Sequence, residues 1–503
     1  MSKSVIIIGG GLTGLSAGCY LRMNGYNTSI FEMHNKTGGV CTGWKRKDYT
    51  FDGAMHWLVG TKPGTSFYGI WEELGAAKGW KVYDHDRFSI VECSGGKTFT
   101  FYSDLDRLEQ HMLEIAPEDT GVIQDFTGTI RKLGKMDIPV DKAPELYRFT
   151  DMFKLFGYLQ FMSVMKKWGK VTTAEFSKRF KNPVLREAFT TSMVSEEEGI
   201  KFPLLFMLFT FAWLDQKMAG YLVGGGLELS QRIEKRYLDL GGELHVSSHV
   251  SRILVENGKA AGIKLEDGRE VRGDIVLSTA DGHTTLFEML EGKYMDVKTR
   301  AFYENPQLFP PLVYISLGVN RNFPEITPSV SGLVFPVSEP VIVAGKEHRR
   351  MNIQTYTFDP TLAPAGKTVL KTQFSTNYDY WQKLRQEPER YKAEKEAIAS
   401  QVIDRLDKRY PGFAGQVEAI DVATPMTWVR YTGNWKGSYE GWLLQGADFN
   451  LHMSKTMPGL ENFYMAGQWV EPGGGMPTAA MSGRNVTQLI CHKDKKKFVA
   501  TKP

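Results

Sequence analysis

The chain has 503 residues, of which 42% are hydrophobic and 23% charged, and its formal net charge is +4. This length favours two interleaved domains over one simple core. So small a net charge argues against nucleic acid as a partner. The four cysteines are widely spaced and form no C-x-x-C, which excludes the usual zinc-ribbon spacing and suggests a reducing compartment.

Two further absences concern the location of the protein. The chain enters its first predicted strand at Ser4, so no signal peptide is expected before it. No apolar run reaches the ~18 residues that a membrane-spanning helix needs. We therefore expect a cytoplasmic protein. No group of His, Cys or carboxylate residues has metal-ligand spacing, and no metal site is predicted.

The first strand, turn and helix have the order of a dinucleotide-binding unit. Val5 to Ile8 are four apolar residues, typical of a buried parallel strand. A G-x-G-x-x-G follows, whose glycines permit a tight turn, approach of a pyrophosphate to the backbone, and close packing of helix on strand. The helix N-terminus offers free N–H groups and a partial positive charge to phosphates. The residues predicted to bind here are Gly9, Gly11, Leu12, Thr13 and Gly14.

The second predicted strand, Thr28 to Phe31, ends at an acidic residue. A carboxylate at Glu32 can accept hydrogen bonds from both hydroxyls of an adenosine ribose, and Met33 follows it. A second glycine pair comes soon afterwards, which suggests a loop laid against the cofactor phosphates. The predicted binding residues of this loop are Gly38, Gly39 and Val40.

The run FDGAMHW, from Phe51 to Trp57, decides between two dinucleotides by resemblance. With the preceding glycines it resembles the N-terminus of FAD-dependent phytoene desaturases, carotenoid isomerases and retinol saturases, a branch of the amine-oxidase-like flavoproteins. The resemblance implies FAD as the cofactor. It also implies an oxidoreductase acting on C–C bonds of a long apolar isoprenoid, carotenoid or retinoid-like lipid, by desaturation, saturation or isomerisation. Many amine-oxidase relatives carry Arg where this chain has Val40.

Two apolar clusters, at 149–168 and 202–214, fall in a segment predicted to be helical. The first reading of these clusters is the buried core of a helical substrate domain. The second is a greasy channel or membrane-facing patch for a lipid substrate, because Met and aromatic side chains re-pack around flexible apolar ligands. The Lys166-Lys167-Trp168 end suits a headgroup boundary. Both readings can hold together, so peripheral membrane contact is an open expectation.

From Tyr221 the pattern returns to alternating helix and strand. A glycine run precedes a predicted helix at 227–240, three short strands alternate over 252–272, and a buried strand covers 274–278. The block resembles the middle of the family's FAD domain, which implies that Val250 lies against the adenine. Residues 306–413 are predicted to form a mixed sheet and a long helix of the substrate domain.

The last block again places glycines between a strand, Phe463 to Ala466, and a helix, Thr478 to His492. The resemblance implies that Gly467 and Gln468 lie near the ribityl-phosphate arm of FAD. It implies that the N–H of Met476, between Gly475 and Pro477, faces the pyrimidine edge of the flavin ring. The common amine-oxidase pattern often has an acid where this chain has Gln468.

The expected fold is therefore α/β, with a Rossmann-type, glutathione-reductase-like FAD-binding domain and an interleaved α+β substrate domain. The FAD-binding domain is predicted to be discontinuous, over 1–72, 221–300 and 415–503. The substrate domain is predicted over 73–220 and 301–414. No second G-x-G-x-x-G lies between a strand and a helix, so NAD(P)H is expected only as an external reductant, and the redox partner is left open.

His56 is the first candidate for catalysis, because it can exchange a proton near neutral pH beside a flavin-facing wall that includes Trp57. Its alternative is a packed histidine that holds a loop carbonyl. Arg430 is a second candidate, with Tyr431 and Glu471, on nearness to family segments alone. Two other functions stay open: an amine or small-molecule oxidase, and a non-enzymatic prenyl-protein carrier of the GDP-dissociation-inhibitor type.

Overall fold

The computed structural model of the chain describes residues 2–148, 159–191, 202–443 and 453–503. In chain order the strands β1 to β20 are Ser4–Ile8, Asn27–Phe31, Gly43–Arg46, Tyr49–Asp52, Leu58–Val59, Val82–Tyr83, Arg87–Glu92, Thr98–Tyr102, Ala219–Leu222, Glu243–His245, Val250–Glu256, Lys259–Leu265, Glu270–Arg272, Ile275–Ser278, Leu312–Val319, Leu333–Val343, Lys346–Thr355, Thr368–Ser375, Val417–Ala423 and Phe463–Met465. The helices α1 to α14 are Leu12–Met23, Ser66–Glu73, Leu105–Ile115, Thr120–Gly134, Leu159–Trp168, Thr173–Ser177, Pro183–Thr191, Leu204–Asp215, Gly225–Asp239, Val297–Glu304, Tyr378–Leu384, Pro388–Arg409, Pro425–Thr432 and Gly475–Lys493.

Strand β1 is the centre of a five-stranded parallel sheet in the order β10-β2-β1-β14-β20. Successive side chains of a strand point to opposite faces. Val5 and Ile7 accordingly pack in one core with helices α1, α9 and α14, whereas Ile6 and Ile8 pack in another with the antiparallel strands β11 to β13. This layering of helices, parallel sheet and β-meander confirms the Rossmann-type α/β fold predicted from the sequence.

A second sheet has seven strands in the order β19-β15-β18-β17-β16-β7-β8. Its strands pair antiparallel except for β16 with β7. Helix α12 packs on this sheet through Ile398, Val402 and Leu406. The strand at Val417–Ala423 pairs with β15, so pairing groups these residues with 301–414 and not with the range predicted to begin at 415. The rest of the domain division stays a prediction.

Helices α3 to α8 pack together beside this sheet. Most residues of α8 are buried, in one core with Phe126 and Phe176, which supports the core reading of the apolar run at 202–214. In the other run, 149–158 lies outside the described residues, and Met162 farther along is 62% exposed. Within the described ranges, no helix combines the length and apolar character needed to cross a bilayer.

Candidate functional site

A cavity of about 510 Å³ opens where strands β1, β2 and β14 end, and it extends to the start of helix α14. In parallel α/β sheets, ligands bind in the crevice outside the carboxyl ends of the strands. Residues from both ends of the chain line it, including Glu32 and Met476. The cavity is therefore the candidate site.

Most of the predicted cofactor-binding residues meet in this cavity. Those that line it are Gly9, Gly11, Leu12, Thr13, Glu32, Met33, Gly38, Gly39, Val40, Val250, Gly467, Gln468, Gly475 and Met476. Gly14 and Pro477 are not among its lining residues. Glu32 and Val250, predicted to contact the adenosine, and Met476, predicted to face the ring, thus line one cavity, and we call the parts near them its adenosine end and its ring end.

The glycines of the first turn have different steric surroundings. A Cβ on Gly14 would lie 2.0 Å from the carbonyl oxygen of Gly9, so only glycine lets α1 pack this closely on the turn. A Cβ on Gly11 would lie 3.9 Å from the Cα of Gly39 and would meet no closer atom. A side chain at position 11 would therefore clash with no protein atom. It would enter the space between the turn at Gly11 and the loop at Gly39.

Glu32 is 5% exposed and its carboxylate is held by the backbone. Its Oε2 accepts a hydrogen bond from the N–H of Gly10 at 2.7 Å, and its Oε1 accepts one from the N–H of His34 at 2.8 Å. Burial raises the pKa of Glu32, and these hydrogen bonds oppose the rise. Each carboxylate oxygen has two lone pairs, so both can accept one more hydrogen bond from a ligand hydroxyl.

At the other end, helix α14 begins after a run of glycines. Gly474 and Gly475 have φ values of +69° and +78°, a left-handed conformation that L side chains rarely adopt. Met476 in the first turn contacts the N-terminal loop, with its Sδ 3.5 Å from the Sγ of Cys41. Gly467 donates its N–H to Ser482 Oγ of α14 at 2.7 Å. The two ends of the chain are therefore joined around the cavity.

His56 lines the cavity and is bonded to the substrate-domain sheet. The side-chain nitrogen of Gln354 lies 2.7 Å from His56 Nδ1 and 2.9 Å from the carbonyl oxygen of Val330. Burial, with the charge of Lys371 next in size, lowers the pKa of His56 to about 3. The imidazole is thus neutral at pH 7, which departs from the proton exchange near neutral pH expected from the sequence.

The other catalytic candidates have different positions. Arg430 is exposed and does not line the cavity, whereas its neighbours Val429 and Tyr431 do. Its guanidinium lies 5.3 Å from the ring centre of Tyr431. The structure therefore gives Arg430 no place at the site. Glu471 lines the cavity and is buried, and its Oε1 pairs with Lys455 Nζ at 2.8 Å.

Sequence reasoning missed three side chains at the ring end, which are Tyr314, Tyr439 and Glu440. Glu440 follows Gly437, Ser438 and Tyr439, and an acid in such a turn-forming run is a usable signal. Tyr314 lies on β15, whose residues are all buried, so periodicity could not single it out. Among the described residues that line the cavity, none is Lys or Arg.

These features suit a dinucleotide with a flavin. The space between Gly11 and Gly39 would be filled by a Cβ, and the N-terminus of α1 at Gly11 has no side chain to cap it. Backbone N–H groups and a helix dipole, with a buried acid for a ribose, match the needs of a pyrophosphate and an adenosine. The fold and the cavity together define a dinucleotide-binding protein of the Rossmann type.

The chain belongs to the flavin containing amine oxidoreductase family, whose model matches residues 12–491. It is an FAD-dependent oxidoreductase. This excludes the non-enzymatic carrier that the sequence left open.

Among curated proteins, the chain is 23% identical over 490 residues to the chloroplastic prolycopene isomerase of Arabidopsis thaliana, covering 95% of this chain and 81% of that protein. It is 24% identical over 537 residues to a 4,4'-diapophytoene desaturase of Methylomonas sp, covering 99% and 97%. It is 24% identical over 509 residues to the neurosporene-forming phytoene desaturase of Rhodobacter capsulatus, covering 96% and 93%. The suspected family resemblance is thereby confirmed.

Solved structures agree on the fold. An oxidoreductase from Methanosarcina mazei has a TM-score of 0.60 at 18% identity, covering 96% of this chain and 100% of that one. Cyclohexylamine oxidase from Brevibacterium oxydans has a TM-score of 0.60 at 14% identity, covering 99% and 100%. At such identities the likeness concerns the fold alone.

Proposed function

We propose that this oxidoreductase acts on a C–C bond of a long apolar polyene of the isoprenoid or carotenoid class. The observation that carries the proposal is the near full-length similarity to three enzymes named for such substrates. The ring end of the cavity supports it, because Val40, Ala54, Tyr314 and Tyr439 offer apolar and aromatic surface there. Desaturation, saturation and isomerisation all remain open, since the direction depends on the electron partner.

We further propose which residues hold the cofactor. Gly9, Gly11 and Gly39, with the N–H groups of Leu12 and Thr13, would hold the pyrophosphate through backbone contacts. Glu32 would bind the adenosine ribose, and Val250 would lie against the adenine. The remaining contacts are assigned to Met33, Gly38, Val40, Gly467, Gln468, Gly475 and Met476. FAD, when bound, supplies the acceptor or donor of hydride at its ring.

The chain's own groups at the ring end would orient a substrate and exclude water. His56 is a neutral hydrogen-bond partner held by Gln354, so we assign it a positioning part in the wall against which the substrate lies. Aromatic Tyr314 and Tyr439 supply large, stiff apolar surface for a flat conjugated chain. Closing this wall with apolar groups keeps water away from the hydride transfer.

Amine oxidation is a second candidate, and Tyr314 and Tyr439 support it too. Two tyrosines at one end of a cavity can flank an amine, and the acid at 440 can stabilise its positive charge. The two candidates differ in substrate, so one assay separates them.

The test begins with the purified holoenzyme and its visible spectrum. Under anaerobic conditions the flavin band is followed after adding phytoene, a poly-cis carotenoid, a primary amine, or NAD(P)H. Bleaching or product formation with a polyene, and none with the amine, is the expected result. Turnover of the amine with inert polyenes would overturn the proposal. Bleaching by NAD(P)H would identify it as an external reductant and favour the saturating direction.

We also propose that the protein works in the cytoplasm and contacts membranes peripherally. Its four cysteine thiols are free and buried, as is usual in a reducing compartment. Met162 is 62% exposed and lies next to the half-buried Phe161 and Met165. These side chains form an apolar surface that can contact a lipid membrane. Co-sedimentation with anionic liposomes at low salt tests the contact, and full recovery in the supernatant would contradict it.

A further inference from the structure

Glu440 places a carboxyl group inside the cavity, at the N-terminal end of helix α14. The backbone N–H of Gly475 lies close enough to its carboxyl group to lower the pKa of Glu440. It lies against Gly474, where a Cβ would approach its Oε2 to 2.7 Å. The glycine at 474 therefore leaves room for this acid, at the end of the cavity assigned to the flavin ring.

Among the described residues, the groups that line the cavity beside Glu440 give it no positive partner. Tyr314 on β15, Tyr439 beside it and His56 after β4 line the same cavity, and none of them is a cation at neutral pH. Lys371 lies behind this wall, with its Nζ 4.7 Å from the ring centre of Tyr314 and 3.3 Å from the carbonyl oxygen of Asp52. Burial accordingly raises the pKa of Glu440 to about 7, against the opposing effect of the backbone N–H of Gly475.

Other described ionisable groups of the cavity are held by hydrogen bonds or by an ion pair. Glu32 and Asp281 each accept hydrogen bonds from two backbone N–H groups, although burial also raises the pKa of Asp281, to about 6. Glu471 pairs with Lys455. His56 already accepts a hydrogen bond at Nδ1, so its Nε2 carries the proton and the ring has no free site for another. Glu440 is the acid that lies beside Gly474 at the start of α14, and its raised pKa allows proton exchange at neutral pH.

We propose that Glu440 accepts the proton that the substrate loses when its hydride leaves. This rests on the proposed function. In the desaturating direction, one C–H bond breaks with both electrons, and the hydride passes to FAD as the oxidant. The neighbouring C–H bond breaks and leaves its electron pair to form the C=C bond, and its proton goes to a carboxylate oxygen of Glu440. In the saturating direction, the protonated acid returns the proton to carbon.

The test compares wild type with Glu440→Gln and Glu440→Asp as FAD-loaded enzymes. The flavin absorption of the oxidised holoenzyme is recorded across pH, which needs no substrate. We expect one spectral transition with a midpoint at about pH 7 in wild type, its loss in Glu440→Gln, and a shifted midpoint in Glu440→Asp. With the substrate that wild type turns over, kcat of Glu440→Gln should fall by roughly 10²-fold or more, and Glu440→Asp should recover part of it.

The control is Glu347→Gln, whose side chain is 53% exposed on the β16–β17 hairpin and should leave both readouts unchanged. Flavin content is measured for each variant, and Glu440→Asp decides if Glu440→Gln fails to hold FAD. An unchanged spectral transition and an unchanged kcat in these variants would overturn the proposal. If the transition depends on Glu440 but only an amine is turned over, the polyene assignment fails and the kcat test is made on the amine.

Discussion

Gln354 fixes His56 in a single tautomer. The Val330 carbonyl can only accept a hydrogen bond, so the atom of Gln354 that lies 2.9 Å from it must be the amide nitrogen. The same NH₂ group then donates to His56 Nδ1 at 2.7 Å. The proton of the neutral imidazole is therefore on Nε2, and a residue of the substrate-domain sheet sets the state of a side chain at the FAD site.

The first prediction is that His56 does not titrate in the physiological range. Burial lowers its pKa to about 3, so its ¹⁵N and ¹H ring signals should stay constant between about pH 5 and about pH 8. Gln354→Glu replaces the donor with an acceptor, so Nδ1 must then carry a proton and the pKa of His56 should rise. NMR of selectively labelled histidine measures both. A midpoint near the ordinary histidine pKa in wild type would contradict the assignment.

His56→Ala gives the functional counterpart. If His56 positions the substrate, turnover should fall while the pH profile keeps its shape, because the imidazole does not ionise there. Steady-state kinetics across pH on the FAD-loaded variant measures this. Turnover equal to wild type would remove His56 from the site's working residues.

The second prediction separates the roles of two glycines in the first turn. Gly14→Ala puts a Cβ 2.0 Å from the Gly9 carbonyl oxygen, so the free energy of unfolding should fall by about 1–3 kcal/mol or more. Gly11→Ala meets no protein atom closer than 3.9 Å but enters the space assigned to the pyrophosphate. It should leave stability nearly unchanged and weaken FAD binding by roughly tenfold or more.

Chemical unfolding and fluorescence titration with FAD measure these two effects. The matched control is Gly121→Ala on α4, where a Cβ meets nothing within 4 Å and alanine favours the helix. Equal losses of stability in the variants at 11 and 14 would show that both glycines serve packing alone.

The adenosine half of the site could be predicted because its signals are local in sequence. The buried run at Val5, the spaced glycines and the acid at Glu32 lie within one strand-turn-helix-strand unit. Each has a separate physical requirement, such as the positive φ of +95° at Gly9. Such a unit specifies its own geometry, so its residues line one cavity in the structure, and their contacts with the cofactor stay a prediction.

The ring half depends on contacts between distant elements, and local patterns do not encode those. Gln354 comes from the β16–β17 hairpin, which no prediction identified, and it reaches His56 across nearly 300 positions of sequence. Arg430 was expected at the site from its neighbours in sequence, yet the rotation of one short helix turns it to solvent. Whether Glu440 faces a cavity likewise depends on how α14 and β15 meet.

The third prediction concerns how FAD is retained without a basic side chain. Among the described cavity-lining residues none is Lys or Arg, so phosphate binding should depend on backbone N–H groups and the α1 dipole. Between about 0.05 M and about 0.5 M NaCl, the Kd for FAD should change by less than roughly threefold, because these contacts are short and desolvated.

Val40→Arg puts the cation of many amine-oxidase relatives beside Gly39. It should tighten FAD binding by roughly three- to tenfold at low salt and make it salt-sensitive, since a new ion pair at the cavity wall is partly screened. Val40→Met is the control for side-chain size. A steep salt dependence in wild type would point to a basic contact from outside the described cavity lining.

The fourth prediction follows from the raised pKa of Glu440. Its folded-state pKa of about 7 exceeds the ordinary glutamate value, so the folded protein binds this proton more tightly than the unfolded chain. The stabilisation is complete below about pH 4 and is lost as pH rises through about 7. Glu440→Gln cannot ionise, so its stability relative to wild type should rise by about 1–3 kcal/mol from acidic to neutral pH. Unfolding of both proteins at a fixed, saturating FAD concentration measures the difference.

Contributions from His56 and His85, whose pKa values burial lowers to about 3 and about 4, act in the opposite direction but are common to both proteins and cancel. A stability difference that does not vary with pH would mean that Glu440 has the same pKa in the folded and unfolded protein, and a difference that falls as pH rises would mean that a cation lowers its folded-state pKa.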